Sequence, residues 1–192
     1  MELNNFSFIF IGDTHGFIND FKKQKEIINQ VNPEYVLFEK LEDFKLESQE
    51  DFNRILQLEN ISDMTKVNEI KKLIKFCQEK NIKMIGIDFK NFGLNKNLID
   101  VILGKKDITK KEEKEFERIL NLRETHQNLI IQKYRNKTSS SIVIILGSWH
   151  LRPETQVLNN LTSYVLIYPS VDGKLIFEPT DKEITYNIKW KE

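Results

Sequence analysis

Four apolar runs in this chain each finish on an ionisable side chain. Phe6 to Ile11 leads into Gly12-Asp13-Thr14-His15-Gly16, and Tyr35 to Phe38 stops at Glu39. Ile82 to Ile87 stops at Asp88, and Ile142 to Leu146 leads into Gly147-Ser148-Trp149-His150. Short, continuous apolar runs bounded by glycine or charge predict buried strands. Between them the period changes to helical. Phe21, Ile27, Ile28 and Val31 share a face, so a helix capped by Asn19 or Asp20 is expected to run to about Val31, where Pro33 ends it. Val67, Ile70, Leu73, Ile74 and Cys77 predict a second helix over Thr65 to Lys80. Thr109 and Glu112 form a capping-box pattern that opens a long helix through about Arg135.

Elsewhere the pattern is weaker. Residues 40–63 read as an acidic excursion with a short helix or two, and Glu42 and Asp43 in it read as solvated. Residues 90–108 read as a loop with a short helix around Leu98 to Leu103. Pro153 is expected to open a helix to about Asn160. Tyr164 to Tyr168, Lys174 to Phe177 and Ile184 to Trp190 predict three closing strands, the first two joined by a turn at Asp172-Gly173. Strand and helix alternate over residues 6–168. This predicts an α/β fold: a mostly parallel central sheet with helices on both faces, the C-terminal strands antiparallel at its edge. A single domain over residues 1–192 is expected.

Composition narrows the function classes. Lys plus Arg equals Asp plus Glu at 29 each, so the whole chain has no electrostatic pull toward nucleic acid or anionic membrane. Hydrophobic residues are 40% and charged residues 30%, as in ordinary globular proteins. Cys77 is the single cysteine, so no intrachain disulfide can form. No run approaches a membrane span, and no basic, apolar leader opens the sequence. A cytoplasmic protein acting on a small molecule or peptide is the expectation; oligomeric state is not encoded in any pattern here.

In an open α/β sheet, ligands bind along the carboxyl ends of the parallel strands. His15, Glu39, Asp88 and His150 are therefore expected to converge. Two histidines with carboxylates can hold a divalent transition metal, or can activate water without one, and the sequence leaves both open. The long helix adds Arg123, Glu124, His126 and Gln127. Arg123 and Gln127, four apart, share a face that can present a guanidinium to an anionic group. Glu124 shares that face loosely, and His126 reads as part of a solvated face. Trp149 either walls a pocket or packs, and Arg152 either holds an anion or lies on the surface. No GxSxG elbow, P-loop or dinucleotide fingerprint is present.

Two family resemblances bear on these residues. GDTHG resembles the first metal motif of calcineurin-like metallophosphoesterases, in which Asp13 and His15 would bind metal. That family's later motifs have FEKLED, GIDFK and GSWH in their place here. A longer resemblance, over residues 7–151, is to the superfamily of TraB/PrgY proteins, Tiki-type proteases, ChaN-like haem-binding proteins and erythromycin-esterase-like hydrolases. Its elements occur in order: GDTH with His15, PEYVLFE with Glu39, RETHQNLII with Arg123, and GSWHL with His150. Glu124 and Gln127 depart from it, standing where small polar and apolar residues are usual. The resemblance implies a hydrolase that activates water to cleave a peptide, amide or ester bond. His15, Glu39, His150 and Arg123 would be catalytic, and Asp13, Asp88, Trp149 and Gln127 would contact substrate. It also implies His15, Glu39 and His150 as ligands for Mn, Zn or Co. A phosphoesterase, or a non-catalytic domain binding haem or another ligand, is the alternative.

Overall fold

The computed structural model describes residues 2–13, 20–171, 174–175 and 183–187. The Asn19 cap, His15 and the Asp172-Gly173 turn lie outside the described residues, as do positions 188–190 of the last expected strand. The element order is β1 (Phe8–Asp13), α1 (Asp20–Val31), β2 (Tyr35–Phe38), β3 (Lys45–Leu46), α2 (Gln49–Leu56) and α3 (Val67–Glu79). There follow β4 (Lys83–Gly86), α4 (Lys96–Ile102), α5 (Lys110–Arg135), β5 (Ile142–Gly147), β6 (Tyr164–Val171), β7 (Lys174–Leu175) and β8 (Glu183–Asn187). Among the described residues no helix is long and apolar enough to cross a membrane.

The sheet runs β3-β4-β2-β5-β1-β6-β7, with β8 also on β6. The pairs β4·β2, β2·β5, β5·β1, β1·β6 and β6·β8 are parallel. The two-residue strands β3 and β7 pair antiparallel with β4 and β6. The antiparallel edge expected at the C-terminus is therefore β7 alone, while β6 and β8 extend the parallel sheet. Alternation along each strand sends side chains to opposite faces. Ile9, Ile11, Val36, Phe38, Val143 and Ile145 meet α1, α2 and α3 in one apolar cluster. Phe8, Phe10, Leu37, Ile142 and Ile144 meet Ile131 and Tyr134 of α5 in the other. Helices thus cover both faces. β5 lies between β2 and β1 although it follows them both in sequence, and the helix leading into it crosses on the opposite face. A crevice opens at the strand ends where the winding changes sides.

Local chemistry sets the boundaries. α1 ends at Asn32, whose φ of 48° is the left-handed conformation common after a helix, just before Pro33. Ser48 and Asp51 box the start of α2, and Thr109 and Glu112 box that of α5. The helix expected from Pro153 does not form. There the Gln156 N–H donates to Glu124, and the Val157 and Asn159 carbonyls accept from the Asn128 side chain. Of these groups the Gln156 N–H is one that a helix from Pro153 would pair internally, and the segment is instead a string of turns.

Residues 40–46 also depart from the solvated excursion. Glu42, at φ 52°, is fully buried and accepts from Ser62, Thr65 (3.2 Å) and the Asn91 N–H (2.7 Å). Its burial raises its carboxyl pKa against those bonds. The strap crosses directly over β4: Gly86 N–H donates to the Phe44 carbonyl at 2.7 Å, and Asp88 N–H to that of Glu42 at 3.0 Å. A Cβ on Gly86 would sit 2.8 Å from the Leu41 carbonyl oxygen and closer still to that of Glu42. The obstacle is backbone, which cannot swing aside. Gly86→Ala is expected to destabilise the protein by about 3 kcal/mol, measured by urea unfolding; wild-type stability in that variant would contradict the crossing.

Candidate functional site

The parallel strands deliver their carboxyl ends to one edge. β1 ends on Asp13, β2 leads into Glu39, β4 into Asp88, and β5 ends on Gly147 just before His150. Facing this edge is the middle of α5, where the buried positions Glu124, Gln127 and Asn128 continue the stripe of Ile131 and Tyr134. The helix therefore turns a polar segment toward the crevice and an apolar segment toward the sheet.

The side chains form a chain of alternating charge. Arg152 pairs with Glu124, and Glu124 Oε1 lies 3.2 Å from His150 Nδ1. His150 Nε2 lies 3.2 Å from Glu39 Oε1, which also accepts from the Arg123 guanidinium at 2.5 Å. Arg123 donates through Nε and a terminal nitrogen to Asp88 Oδ2 at 2.9 and 2.7 Å, and Gln127 Nε2 reaches the same oxygen at 2.8 Å. The Gly147 N–H donates to the other oxygen of Glu39. Beside this chain, Lys40 Nζ lies 2.6 Å from Asp13, which Gln24 also approaches at 3.5 Å.

Burial tunes these groups. It opposes the charge on Glu39, but the His150 cation, Arg123 and the Gly147 N–H hold that carboxyl well below the usual carboxylate range. Burial also opposes an imidazolium at His150. The Glu39 charge and the bonds to Glu124 and Glu39 overcome it and push the pKa up to about 9. His150 is then doubly protonated at neutral pH, each ring nitrogen donating to a carboxylate. Glu124, disfavoured as an ion by burial, is lowered by His150, Arg152 and the Gln156 N–H. Burial pushes Asp88 up; Arg123 pulls it down, and the Glu39 charge adds to the rise.

The network floors a cavity of about 490 Å³. Its polar lining comes from Asp13, Glu39, Lys40, Arg123 and His150, and its apolar wall from Met64, Phe92, Leu94, Ile102, Leu120 and Trp149. Trp149 is 60% exposed, with the Arg152 guanidinium 5.5 Å from its ring centre.

Of the residues expected from the sequence, Glu39, Asp88, Arg123, Gln127 and His150 come together, with Asp13 and Trp149 on the cavity wall. His15 lies outside the described residues. His126 is not brought in: it stacks on Phe89 at 4.1 Å, and burial lowers its pKa against the Asp88 charge. Glu124, expected to share the Arg123 face only loosely, is fully buried against His150. Its signal was available, because 124, 127, 128, 131 and 134 make one i, i+3, i+4, i+7 stripe whose lower half is apolar. Lys40 was not anticipated. Arg152 holds an anion, as one of its two readings proposed, but that anion is Glu124 of the same chain.

Among the described residues no donor set for a divalent metal is assembled, and His15, the third expected ligand, lies outside them. Both His150 nitrogens face carboxylates, and Glu39 is bound by Arg123, His150 and the Gly147 N–H. Among the described residues no group of three or more His, Cys, Asp or Glu side chains is arranged to hold an ion.

No family model matches the sequence, and no curated protein does. Among solved structures, the chain is similar to the type III effector HopBA1, with 11% identity, 95% of this chain and 88% of that one covered, and a TM-score of 0.59. It is also similar to ChaN of Campylobacter jejuni, solved with cofacial heme binding, at 12% identity, 98% and 89% coverage, and a TM-score of 0.48. What the chain shares with HopBA1 is its α/β fold.

The His150 shift has a consequence for stability. A histidine whose pKa rises on folding stabilises fully below its unfolded value, roughly 6.5, and loses that contribution as pH climbs through the folded value. Between pH ~6.5 and ~9 the protein should lose on the order of 3 kcal/mol from this group. Glu39 and Glu124 act oppositely, stabilising above the unfolded carboxylate value and losing it toward acid. Urea midpoints across pH 6–10 should fall for the wild type and stay flatter for His150→Gln; parallel curves would contradict an imidazolium at His150.

Proposed function

We propose that this protein is a hydrolase that cleaves a peptide, amide or ester bond in the cavity beside His150. The observation that carries the reading is His150 itself, held between two buried carboxylates at the carboxyl edge of a parallel sheet and opening on an apolar-walled cavity. The ordered resemblance of GDTH, Glu39, Arg123 and GSWHL to the superfamily of Tiki-type proteases and erythromycin-esterase-like hydrolases supports it.

The charge states assign the roles. Glu39 is too weak a base to activate water, since a carboxylate of depressed pKa has little driving force for taking a proton. An imidazolium is an acid: His150 can donate to the oxyanion that forms as the carbonyl is attacked, or protonate the departing group. The base is His15, two residues past the end of β1 in the sequence. Glu39 and Glu124 keep the His150 ring charged and oriented. Arg123, paired with Glu39 and Asp88, holds Glu39 in place. The phosphoesterase alternative gains nothing from Asp13, whose carboxylate is taken by Lys40 and Gln24.

A panel of neutral aryl and alkyl esters and amides tests the proposal. His15→Ala and His150→Gln should each lower turnover about 10²- to 10⁴-fold while retaining the wild-type circular dichroism. Turnover should fall above pH ~9 as His150 loses its proton. Full activity in both variants would sink the hydrolase, and binding without turnover in the wild type would leave a non-catalytic ligand-binding domain.

A further inference from the structure

A second cleft, of about 970 Å³, lies next to the His150 cavity, and Leu94 lines both. The segment between them is unusual. Asn91, Phe92 and Gly93 have φ of 51°, 53° and 70°, a run of left-handed backbone in which two residues are not glycine. Such conformations persist only where surroundings over-determine them, and they cluster at ligand clamps. Here the surroundings are specific. Asn91 N–H donates to buried Glu42, Asn91 Oδ1 accepts from the Asp63 N–H at 3.0 Å, and the Arg123 guanidinium lies 4.9 Å from the Phe92 ring centre. The segment is thereby fixed as a divider, with Lys90 and Asn91 on the outer cleft, Phe92 on the inner cavity, and Leu94 on both.

The two sides differ in charge. On the inner side each cation faces a carboxylate: Lys40 has Asp13, Arg123 has Glu39 and Asp88, and His150 has Glu39 and Glu124. The outer cleft carries Lys90, Lys96 and Lys105 against Asp63 and Asp100. Asp100 is taken by Lys105 at 3.2 Å, and Asp63 accepts from the Asn91 amide at 3.4 Å. Among the described residues, Lys90 and Lys96 have no ion-pair partner.

We propose that the two clefts are halves of one site for an elongated ligand. Its neutral, apolar end lies beside His150 and Trp149, and its far end carries an anionic group, a carboxylate or a phosphate monoester, on Lys90 and Lys96. The proposal rests on the reading of the inner cavity as the reaction site, and it names the substrate class that site serves: molecules charged at the end remote from the scissile bond. Each cleft falls within the ordinary size range of small-molecule sites. Together they suit an extended molecule, not a compact one.

Binding to Trp149 tests this without any turnover. In a Trp190→Phe protein, Trp149 is the sole tryptophan and reports occupancy of the inner cavity by fluorescence. The probes are an N-acetylphenylalanine amide extended by a six-carbon chain ending in carboxylate, its counterpart ending in phosphate, and its counterpart ending in primary amide. At low salt the anionic probes should bind about fivefold more tightly than the neutral one, as two exposed ion pairs would give. Added salt should erode that margin. Lys90→Glu with Lys96→Glu should abolish it and leave the neutral probe unchanged. Equal affinities, or a margin that survives the charge reversal, would overturn the elongated site while sparing the inner cavity. If no probe perturbs Trp149, both the elongated site and the inner cavity as a binding site fall. A carboxylate-only or phosphate-only margin identifies the terminal group and supports the proposal.

Discussion

Charge cancellation in a dry place governs the carboxyl edge of this sheet. An isolated buried carboxylate is so costly that it would take up a proton instead. Among the described residues, Asp13, Glu39, Asp88 and Glu124 meet Lys40, Arg123, His150 and Arg152, acid alternating with base across the crevice. Removing one member of such a set leaves its partner buried and uncompensated, which costs about 3–5 kcal/mol. Arg123 is accordingly a structural member of this set.

The same constraint bears on the proposed chemistry. A histidine between two carboxylates is a proton donor near neutrality, and a carboxylate between a guanidinium and an imidazolium is a spectator that holds its partners in register. In the proposed reaction the apolar wall of Phe92, Leu120 and Trp149 would suit a neutral reacting group, because the carboxylates and cations of the floor are paired with one another.

Strand ends were the most legible feature of the sequence. Each apolar run sits next to the others in the sheet, so Glu39, Asp88 and His150 meet because topology brings their strands together, and Arg123 joins through the face it shares with Gln127. Glu124 escaped because charged residues on a long, highly charged helix look solvated, and only continuation of the stripe through Ile131 and Tyr134 distinguishes it. The missing helix after Pro153 shows the opposite failure. Proline is a permissive start signal, but Glu124, more than twenty residues away, claims the Gln156 N–H that a helix would pair internally. Glu42 was illegible for a related reason: what buries it is a glycine on another strand, Gly86, that lets the backbone cross.

That crossing also separates two layers of motion. The strap over β4 fastens the turn after Glu39 to Gly86 and Asp88 by backbone bonds, so the two carboxylates flanking Arg123 are pinned to the ends of the neighbouring strands β2 and β4. The segment from 96 to 108 is anchored by the buried Leu98 and Ile99, exposes Ile102, Leu103 and Ile108, and makes only local backbone bonds among those described. Local opening of that flap would widen the cavity mouth while the acid–base array beneath kept its spacing. Amide exchange would then be fast at the entrance and slow at the floor, and ligand exchange would not require the array to come apart.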